Sequence, residues 1–245
     1  MSASTAEIPA IEPFFDEGLI TDVVSTLKSG KEAAAYLCRA NPSLGARFAV
    51  AKVYHERTRR NFANDDAYMA GRFFGSGQDT RAILGKTRVG AGMRQAVWIG
   101  HEFEVLSELE RARCDVPRPY AAAEGAVLMG YIGNGAGPAP QLQHADIPQQ
   151  LAEELFERCL WNVETFLANH IVHADLSAFN VLVWKEKPVI IDMPQAVDAR
   201  LNPNARAFLT RDLANLAKGF ARFGLEFEHE RHADWLWARY QHGDL

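Results

Sequence analysis

Residues 173–192 have the sequence HADLSAFNVLVWKEKPVIID and carry much of the information about fold and chemistry. Two short apolar runs, NVLVW and PVIID, flank a polar KEK segment, a spacing that predicts a β-hairpin. If the hairpin turns at Glu186, Asn180 and Asp192 are equidistant from the turn. We therefore expect these two side chains to face each other across the open end of the hairpin.

Asp175 lies shortly before this pair of oxygen-bearing side chains. Amide and carboxylate oxygens suit a hard cation such as Mg²⁺, which accepts one or two protein oxygens together with phosphates and waters. A nearby carboxylate such as Asp175 can orient an attacking hydroxyl or water and accept its proton. A structural interpretation also stays open, in which Asp175 and Asn180 make turn hydrogen bonds and Asp192 caps a loop.

The first part of the chain predicts three strands. The runs LITDVVSTL and AAAYLC flank a tight turn at residues 28–32, and FAVAKVY follows at residues 48–54. Backbone N–H groups in the turn around Ser29 and Lys31 are able to cradle an anion. An ordinary hairpin turn without a ligand is the alternative.

Lys52 is the odd member of an otherwise apolar strand face. A buried ammonium is costly without a partner, and Glu102, beside the apolar stripe of a helix predicted in WIGHEFEVLSELERA, is the candidate. An ammonium also suits phosphate oxygens. The alternative is that Lys52 snorkels at a strand edge and that Glu102 is solvated.

The composition of the 245 residues, with 48% apolar and 23% charged side chains, is that of a globular chain with a sizeable core. Three scattered cysteines and the lack of a leader or an apolar span predict a cytoplasmic protein. The net charge of −5 argues against a dedicated nucleic-acid binder. Residues 57–94, however, hold eight basic and three acidic side chains, and their glycines predict a flexible insertion at about 57–96.

The second half predicts mainly helices. Apolar positions at helical spacing follow Pro148 as far as Asn169, and a second such pattern runs from Pro203 to the stop signal Gly224. The Gly- and Pro-rich segment GNGAGPAP at residues 133–140 indicates a hinge or linker before them.

Taken in order, these features resemble the protein-kinase-like fold, and in detail the RIO family of atypical serine protein kinases, in its branch without an N-terminal winged helix. The resemblance implies an α+β fold with a small β-rich N-lobe (18–130) and a mainly helical C-lobe (131–224), between an extension (1–17) and a tail (225–245). The matching stretches are SGKEA (29–33), VAKVY (50–54), YMAGRF (68–73), EFEVLSEL (102–109), VPRP (116–119), GPAP (137–140), HADLSAFNVLV (173–183), VIIDMPQAV (189–197) and FLTRDLANL (208–216).

The resemblance also implies a site for Mg-ATP in the cleft between the lobes. Gly130 departs from the family pattern, in which an acidic hinge residue is common, and this predicts an altered affinity for adenine. The implied roles are phosphate contacts for Ser29 and Lys31, a phosphate-binding ion pair of Lys52 with Glu102, a gatekeeper at Met129, an adenine hinge at Tyr131 and Ile132, a catalytic Asp175, and metal ligands at Asn180 and Asp192.

The implied activity is phosphoryl transfer from ATP to protein Ser, including autophosphorylation, or to water through an aspartyl-phosphate on Asp192. One alternative is a small-molecule phosphotransferase of the aminoglycoside kind, which shares the H-x-D-x-x-x-x-N motif but lacks SGKEA, GPAP and MPQAV. A second alternative is a non-catalytic, ATP-gated binding module in ribosome maturation. The retention of every ligand-type residue argues against this second alternative.

Two further segments leave their partners open. The basic insertion is a candidate for contacts with RNA or a ribosomal particle, and Tyr68, Phe73 and Phe74 are its candidates for stacking on bases. The alternative is a solvated loop that faces ATP phosphates or the acidic remainder of the chain. The tail carries Trp235 and Trp237 together with Tyr240, which we interpret as core or dimer contacts rather than ligand contacts.

Overall fold

The computed structural model describes residues 8–55 and 88–245, with the backbone alone between 88 and 98. Residues 57–87 of the predicted insertion, including its aromatic candidates and most of its basic side chains, lie outside the described residues. The described chain forms two compact units. The first comprises residues 8–55, 88–107 and 117–131, and the second comprises 108–116 and 132–245.

A five-stranded antiparallel sheet forms the centre of the first unit, with the strand order β1-β2-β3-β5-β4. The predicted strand over residues 48–54 is confirmed residue for residue. The edge strand β4, in which three alanines follow Pro119 and Tyr120, was not predicted, because its sequence lacks an alternating pattern. The strands are β1 (Ile20–Ser29), β2 (Ala33–Ala40), β3 (Phe48–Tyr54), β4 (Pro119–Ala123) and β5 (Ala126–Gly130).

The segment before residue 18 contributes to the core of this unit. A 3₁₀ turn (Pro9–Ile11) leads into the short helix α1 (Glu12–Asp16). Ile11 and Phe14 are fully buried in the apolar cluster that also contains Leu128. The sheet is therefore covered in part by residues of the predicted extension.

Helix α2 (Arg88–Arg111) begins earlier than predicted. Residues 88–96 belong to the predicted flexible insertion because no apolar period is visible there, but this part of the chain is helical. The predicted apolar stripe is present, with Ile99, Leu106 and Leu109 buried. Glu102, beside the stripe, is buried as well.

The second unit is mainly helical. A short 3₁₀ turn (Leu142–His144) precedes helix α3, and Phe156, Phe166 and Phe220 pack in the interior with many aliphatic side chains. The remaining elements are β6 (Gly133–Asn134), β7 (Gly137–Pro138), α3 (Gln149–Ala168), β8 (Ile171–Val172), β9 (Val181–Trp184), β10 (Lys187–Ile190), β11 (Val197–Asp198), α4 (Ala205–Ala221) and α5 (His229–His242).

The predicted tail forms helix α5 and packs on this unit. Leu236 is fully buried, and the Tyr240 hydroxyl lies 2.9 Å from Nδ1 of His170. Trp235 is the most exposed of the three aromatic residues singled out in the tail, with 48% of its surface accessible. The core contacts expected of this tail are thus present in part.

The three cysteines are buried thiols that form no disulfide. Burial raises the pKa of Cys38 to about 11 and that of Cys114 to about 12, so both stay protonated near neutral pH. No helix among the described residues has the length and apolar character needed to cross a membrane.

Candidate functional site

Lys52 and Glu102 form a direct ion pair within the first unit. Nζ of Lys52 lies 2.6 Å from Oε1 of Glu102, and the two side chains are 15% and 1% exposed. Strand β3 lies in the middle of the sheet, so Lys52 has Ala35 and Val127 as its cross-strand neighbours. The expected partnership is therefore present, and its burial separates it from an ordinary surface salt bridge.

The β1–β2 connection is the tight turn that the sequence predicts. The N–H group of Gly30 donates to the carbonyl oxygen of Ala33, and His55 Nε2 lies 3.2 Å from the carbonyl oxygen of Gly30. Ser29 and Lys31 are exposed at this turn, where their polar groups are accessible to a ligand.

The predicted gatekeeper and hinge lie at the end of β5 and directly after it. Met129 is buried, and the ring of Tyr131 packs edge-on against Phe48 with 5.9 Å between the ring centroids. The Gly130 N–H donates to the carbonyl oxygen of Arg118, so this amide is engaged within the protein. In the second unit, the carbonyl oxygen of Ile132 accepts from Ala139.

Asp175, Asn180 and Asp192 come together in the second unit. Asp175 is exposed, while the other two are half-buried. The Asn180 side chain donates from Nδ2 to the carbonyl oxygen of Asp175 at 2.9 Å. The Ile191 N–H donates to the carbonyl oxygen of Asn180, which places Asp192 one residue beyond the end of the hairpin.

The hairpin register corrects one detail of the sequence prediction. Strand β9 pairs Val181 with Ile190 of β10, so Asn180 lies opposite Ile191 rather than opposite Asp192. The predicted three-residue KEK turn is in fact a two-residue turn of Lys185 and Glu186, both with positive φ, as in type I′ hairpins. Asn180 and Asp192 are therefore still close in the hairpin, but as diagonal neighbours rather than directly opposite each other.

His173 connects the loop to the end of the hairpin. Its Nε2 lies 3.1 Å from the carbonyl oxygen of Ile191, and the Asp175 N–H donates to its Nδ1 at 3.3 Å. The two contacts together require the tautomer with the proton on Nε2. His173 is almost completely buried, and its role is to hold the backbone before Asp192 close to that of Asp175.

Asp212 of helix α4 holds the same loop through hydrogen bonds to its backbone. Its two carboxylate oxygens accept the N–H groups of Ala174 at 2.7 Å and Leu176 at 2.9 Å. Arg211 donates to the carbonyl oxygen of Ala174, a residue held at φ +63°. Burial raises the pKa of Asp212 to about 7, although the two N–H bonds oppose this shift. Asn215 adds a bond to the carbonyl oxygen of Leu176 at 3.0 Å.

A family comparison shows to which family the chain belongs. The model of the RIO domain family matches residues 38–233. The chain belongs to the RIO family. The matched range contains Lys52, Glu102 and the whole loop and hairpin from His173 to Asp192, and it ends inside α5, beyond the predicted domain end at residue 224.

Curated relatives from the RIO family carry the names of serine/threonine-protein kinases. The RIO-type kinase Rio1 of Thermoplasma acidophilum is 31% identical over 192 residues, which cover 78% of this chain and 95% of that relative. The human kinase RIO1 is 29% identical over 206 residues, and the alignment spans 84% of this chain but 34% of the human protein. The RIO family is thus one of atypical serine/threonine protein kinases.

Solved structures of RIO kinases share the fold. One is the Rio2 kinase-ADP/Mg²⁺-phosphoaspartate complex from Chaetomium thermophilum, which matches with a TM-score of 0.64 and 18% identity. The match covers 92% of this chain and 64% of that chain. A second structure of the same kinase gives a TM-score of 0.65 over 93% of this chain and 66% of that chain. The predicted α+β, protein-kinase-like fold is confirmed.

Sequence reasoning missed three residues that support the candidate site. Asp212 and Arg211 lie within the FLTRDLANL stretch, where they are hidden by an apolar helical pattern. Tyr54, at the end of β3, donates its hydroxyl to Oε2 of Glu102, and its two-residue spacing from Lys52 was the available signal. Asp212 shares the buried face of α4 with Leu209, Leu213 and Leu216, and an acidic residue at such a position was the available signal.

The residues at the hairpin end fit a magnesium ion in their chemistry. Asn180 uses its amide nitrogen on Asp175, so the amide oxygen is the ligand-type atom, and Asp192 supplies a carboxylate. Among the described residues, no group of three or more His, Cys, Asp or Glu side chains is placed to hold a metal ion. A cation here would thus need further oxygens from phosphates and water, as Mg²⁺ commonly has.

Proposed function

We propose that this protein is an ATP- and Mg²⁺-dependent protein kinase that transfers the γ-phosphoryl group to a serine hydroxyl, including its own serines. The observation that carries the proposal is that the groups needed for phosphoryl transfer are present in the two units of this RIO chain. One unit contains the buried Lys52–Glu102 pair, and the other holds Asp175 beside Asn180 and Asp192. Lys52 supplies a cation that suits phosphates, and Asp175 supplies a carboxylate for the acceptor hydroxyl. Asn180 and Asp192 supply oxygens for a metal ion.

The first unit supplies the nucleotide contacts. Lys52 binds the α and β phosphates through Nζ while Glu102 fixes its position. Ser29 and Lys31, exposed at the β1–β2 turn, contact phosphate oxygens. Met129 and Tyr131 of this unit, together with Ile132, contact the adenine.

The second unit supplies the acceptor side. Asp175 orients the serine hydroxyl and accepts its proton as the serine oxygen bonds to the γ-phosphorus. The bond from that phosphorus to the bridging oxygen breaks, and ADP leaves with the electron pair. Asn180 and Asp192 hold Mg²⁺, which when bound neutralises charge on the phosphate oxygens.

ATP hydrolysis through an aspartyl-phosphate is the second candidate activity. The phosphoaspartate of the Rio2 complex from Chaetomium thermophilum supports it. In this route a carboxylate oxygen of Asp192 bonds to the γ-phosphorus as ADP departs, and water then hydrolyses the acyl phosphate to regenerate the carboxylate. The RIO family match favours both of these activities over a small-molecule phosphotransferase.

The experiment that tests the proposal is incubation with γ-labelled ATP and Mg²⁺, followed by mapping of the labelled residue. Label on serine, stable in acid, supports the kinase route. Label on Asp192, labile to hydroxylamine, supports the ATPase route. A protein that binds Mg-ATP but releases no phosphate and acquires no label contradicts both activities and favours an ATP-gated binding module.

A further inference from the structure

Tyr54, the last residue of β3, reaches the same carboxylate as Lys52. Its hydroxyl donates to Oε2 of Glu102, while Nζ of Lys52 lies 2.6 Å from Oε1. The carboxylate thus has a cationic donor and a neutral donor, and the Tyr54 hydroxyl also interacts with the Lys52 ammonium. All three side chains belong to the first compact unit, so the arrangement is internal to one body of the protein.

The strand period explains why Tyr54 and Lys52 meet the same group. Residues two apart on a β-strand point to one face, and Nζ of Lys52 lies 5.1 Å from the centroid of the Tyr54 ring. Burial, with the nearby Glu102 charge, raises the pKa of Tyr54 well above its ordinary value. The phenol therefore keeps its proton near neutral pH and remains a donor.

A buried carboxylate is stable as an anion only when donors replace the lost water. Glu102 has 1% of its side chain exposed, so every hydrogen bond to it matters. Under the proposed function, Lys52 must serve two anionic groups, the carboxylate and the ATP phosphates. A second donor, on Oε2, keeps Glu102 in place when the ammonium is shared.

We infer that Tyr54 is a positioning residue for nucleotide binding, which holds Glu102 through its hydroxyl so that Lys52 is presented to the phosphates of ATP. The inference rests on the proposed function, because it assigns the phosphate contact to Lys52. It differs from a packing role, since packing needs only the ring of Tyr54 and the inference needs its oxygen.

The test compares Tyr54→Phe with Tyr120→Phe, which makes the same chemical change on β4 of the same sheet, where the ring packs on the core. The dissociation constant for Mg-ATP is measured by calorimetry, with thermal unfolding recorded for each variant. We expect Tyr54→Phe to weaken ATP binding roughly tenfold, the size of one hydrogen bond to a charged group, and Tyr120→Phe to leave it unchanged.

A second comparison uses the Glu102→Ala background. If Tyr54 acts through Glu102, adding Tyr54→Phe to Glu102→Ala weakens ATP binding no further, because the hydroxyl has lost the group that it positions. Equal additional losses in both backgrounds, or unchanged ATP binding by a folded Tyr54→Phe protein, overturn the inference and leave the proposed function standing. A wild-type protein that does not bind Mg-ATP overturns both together.

Discussion

Lys52 and Glu102 are joined by a 2.6 Å contact in a region where the carboxylate is almost completely withheld from solvent. Bringing such a pair out of water costs free energy, which a surface pair avoids. The sheet and helix α2 nevertheless retain both charges. We attribute this retention to ligand binding, because an ammonium held in a fixed position and partly exposed is available to a second anion.

Lys52→Met tests how much this ion pair contributes to the stability of the folded protein. The substitution keeps an unbranched apolar chain but takes the cationic donor from buried Glu102, and we expect a loss of about 3 kcal/mol in the free energy of unfolding. Urea denaturation measures it. Lys28→Met, at an exposed position of β1, is the matched control and is expected to change stability by less than about 0.5 kcal/mol. Equal effects of the two substitutions would show that the pair is not a stabilising contact.

Asp212 predicts a pH dependence of stability. Its pKa of about 7 in the folded protein exceeds the ordinary 3.8, so between these values the folded state binds the extra proton. This group therefore makes its full contribution to stability below pH 4 and loses it as the pH rises to 7, with a slope of about 1.4 kcal/mol per pH unit. Urea unfolding from pH 5 to pH 8 measures the slope.

The matched variants for this slope are Asp212→Asn and the exposed Asp146→Asn. The first should remove the contribution of Asp212, so that the stability difference between wild type and variant shrinks as the pH rises. The second should leave the wild-type slope intact. Parallel curves for wild type and Asp212→Asn would mean that the carboxylate is ionised throughout this range.

Gly219 on α4 marks a close approach to the loop that carries Asp175. A Cβ at this position would lie 2.8 Å from Cβ of Ala178, which is too close for two carbon atoms that are not bonded to each other. Gly219→Ala should therefore destabilise the protein by about 1–3 kcal/mol, despite the higher helix propensity of alanine. Thermal unfolding checks this. Gly100→Ala on α2, where a Cβ would have no atom of the described residues within 4 Å, is the control expected to be neutral or stabilising.

Much of this fold follows from local sequence signals. The apolar run 48–54 and the hairpin with its turn at residues 185–186 are dictated by strand period and turn chemistry, which act over a few residues. The start of α2 at Arg88 was missed because its glycines conceal any apolar period. The hairpin register was misjudged by one position because a three-residue and a two-residue turn have almost the same sequence signal.

The site was predictable where it depends on order along the chain or, as for Lys52 and Glu102, on the cost of burying a charge without a partner. Its other tertiary contacts were not predictable. Asp175, Asn180 and Asp192 lie within 18 residues, and short-range geometry brings them together. Asp212 reaches Ala174 across 38 residues, a distance over which sequence spacing carries no information without a fold. Tyr54 and Glu102 are 48 residues apart, and the same limit applies.

The most direct measurement of the central claim is phosphoryl transfer from γ-labelled ATP by the wild type and by Asp175→Asn, with Mg-ATP affinity measured in parallel. Asp175 is exposed, so the substitution should leave the protein folded, and Asp146→Asn serves as the control. We predict that Asp175→Asn transfers label at least about a hundredfold more slowly while its ATP affinity stays within about threefold of wild type. Equal rates of transfer by the two proteins would contradict the assignment of Asp175, and with it the proposed kinase site.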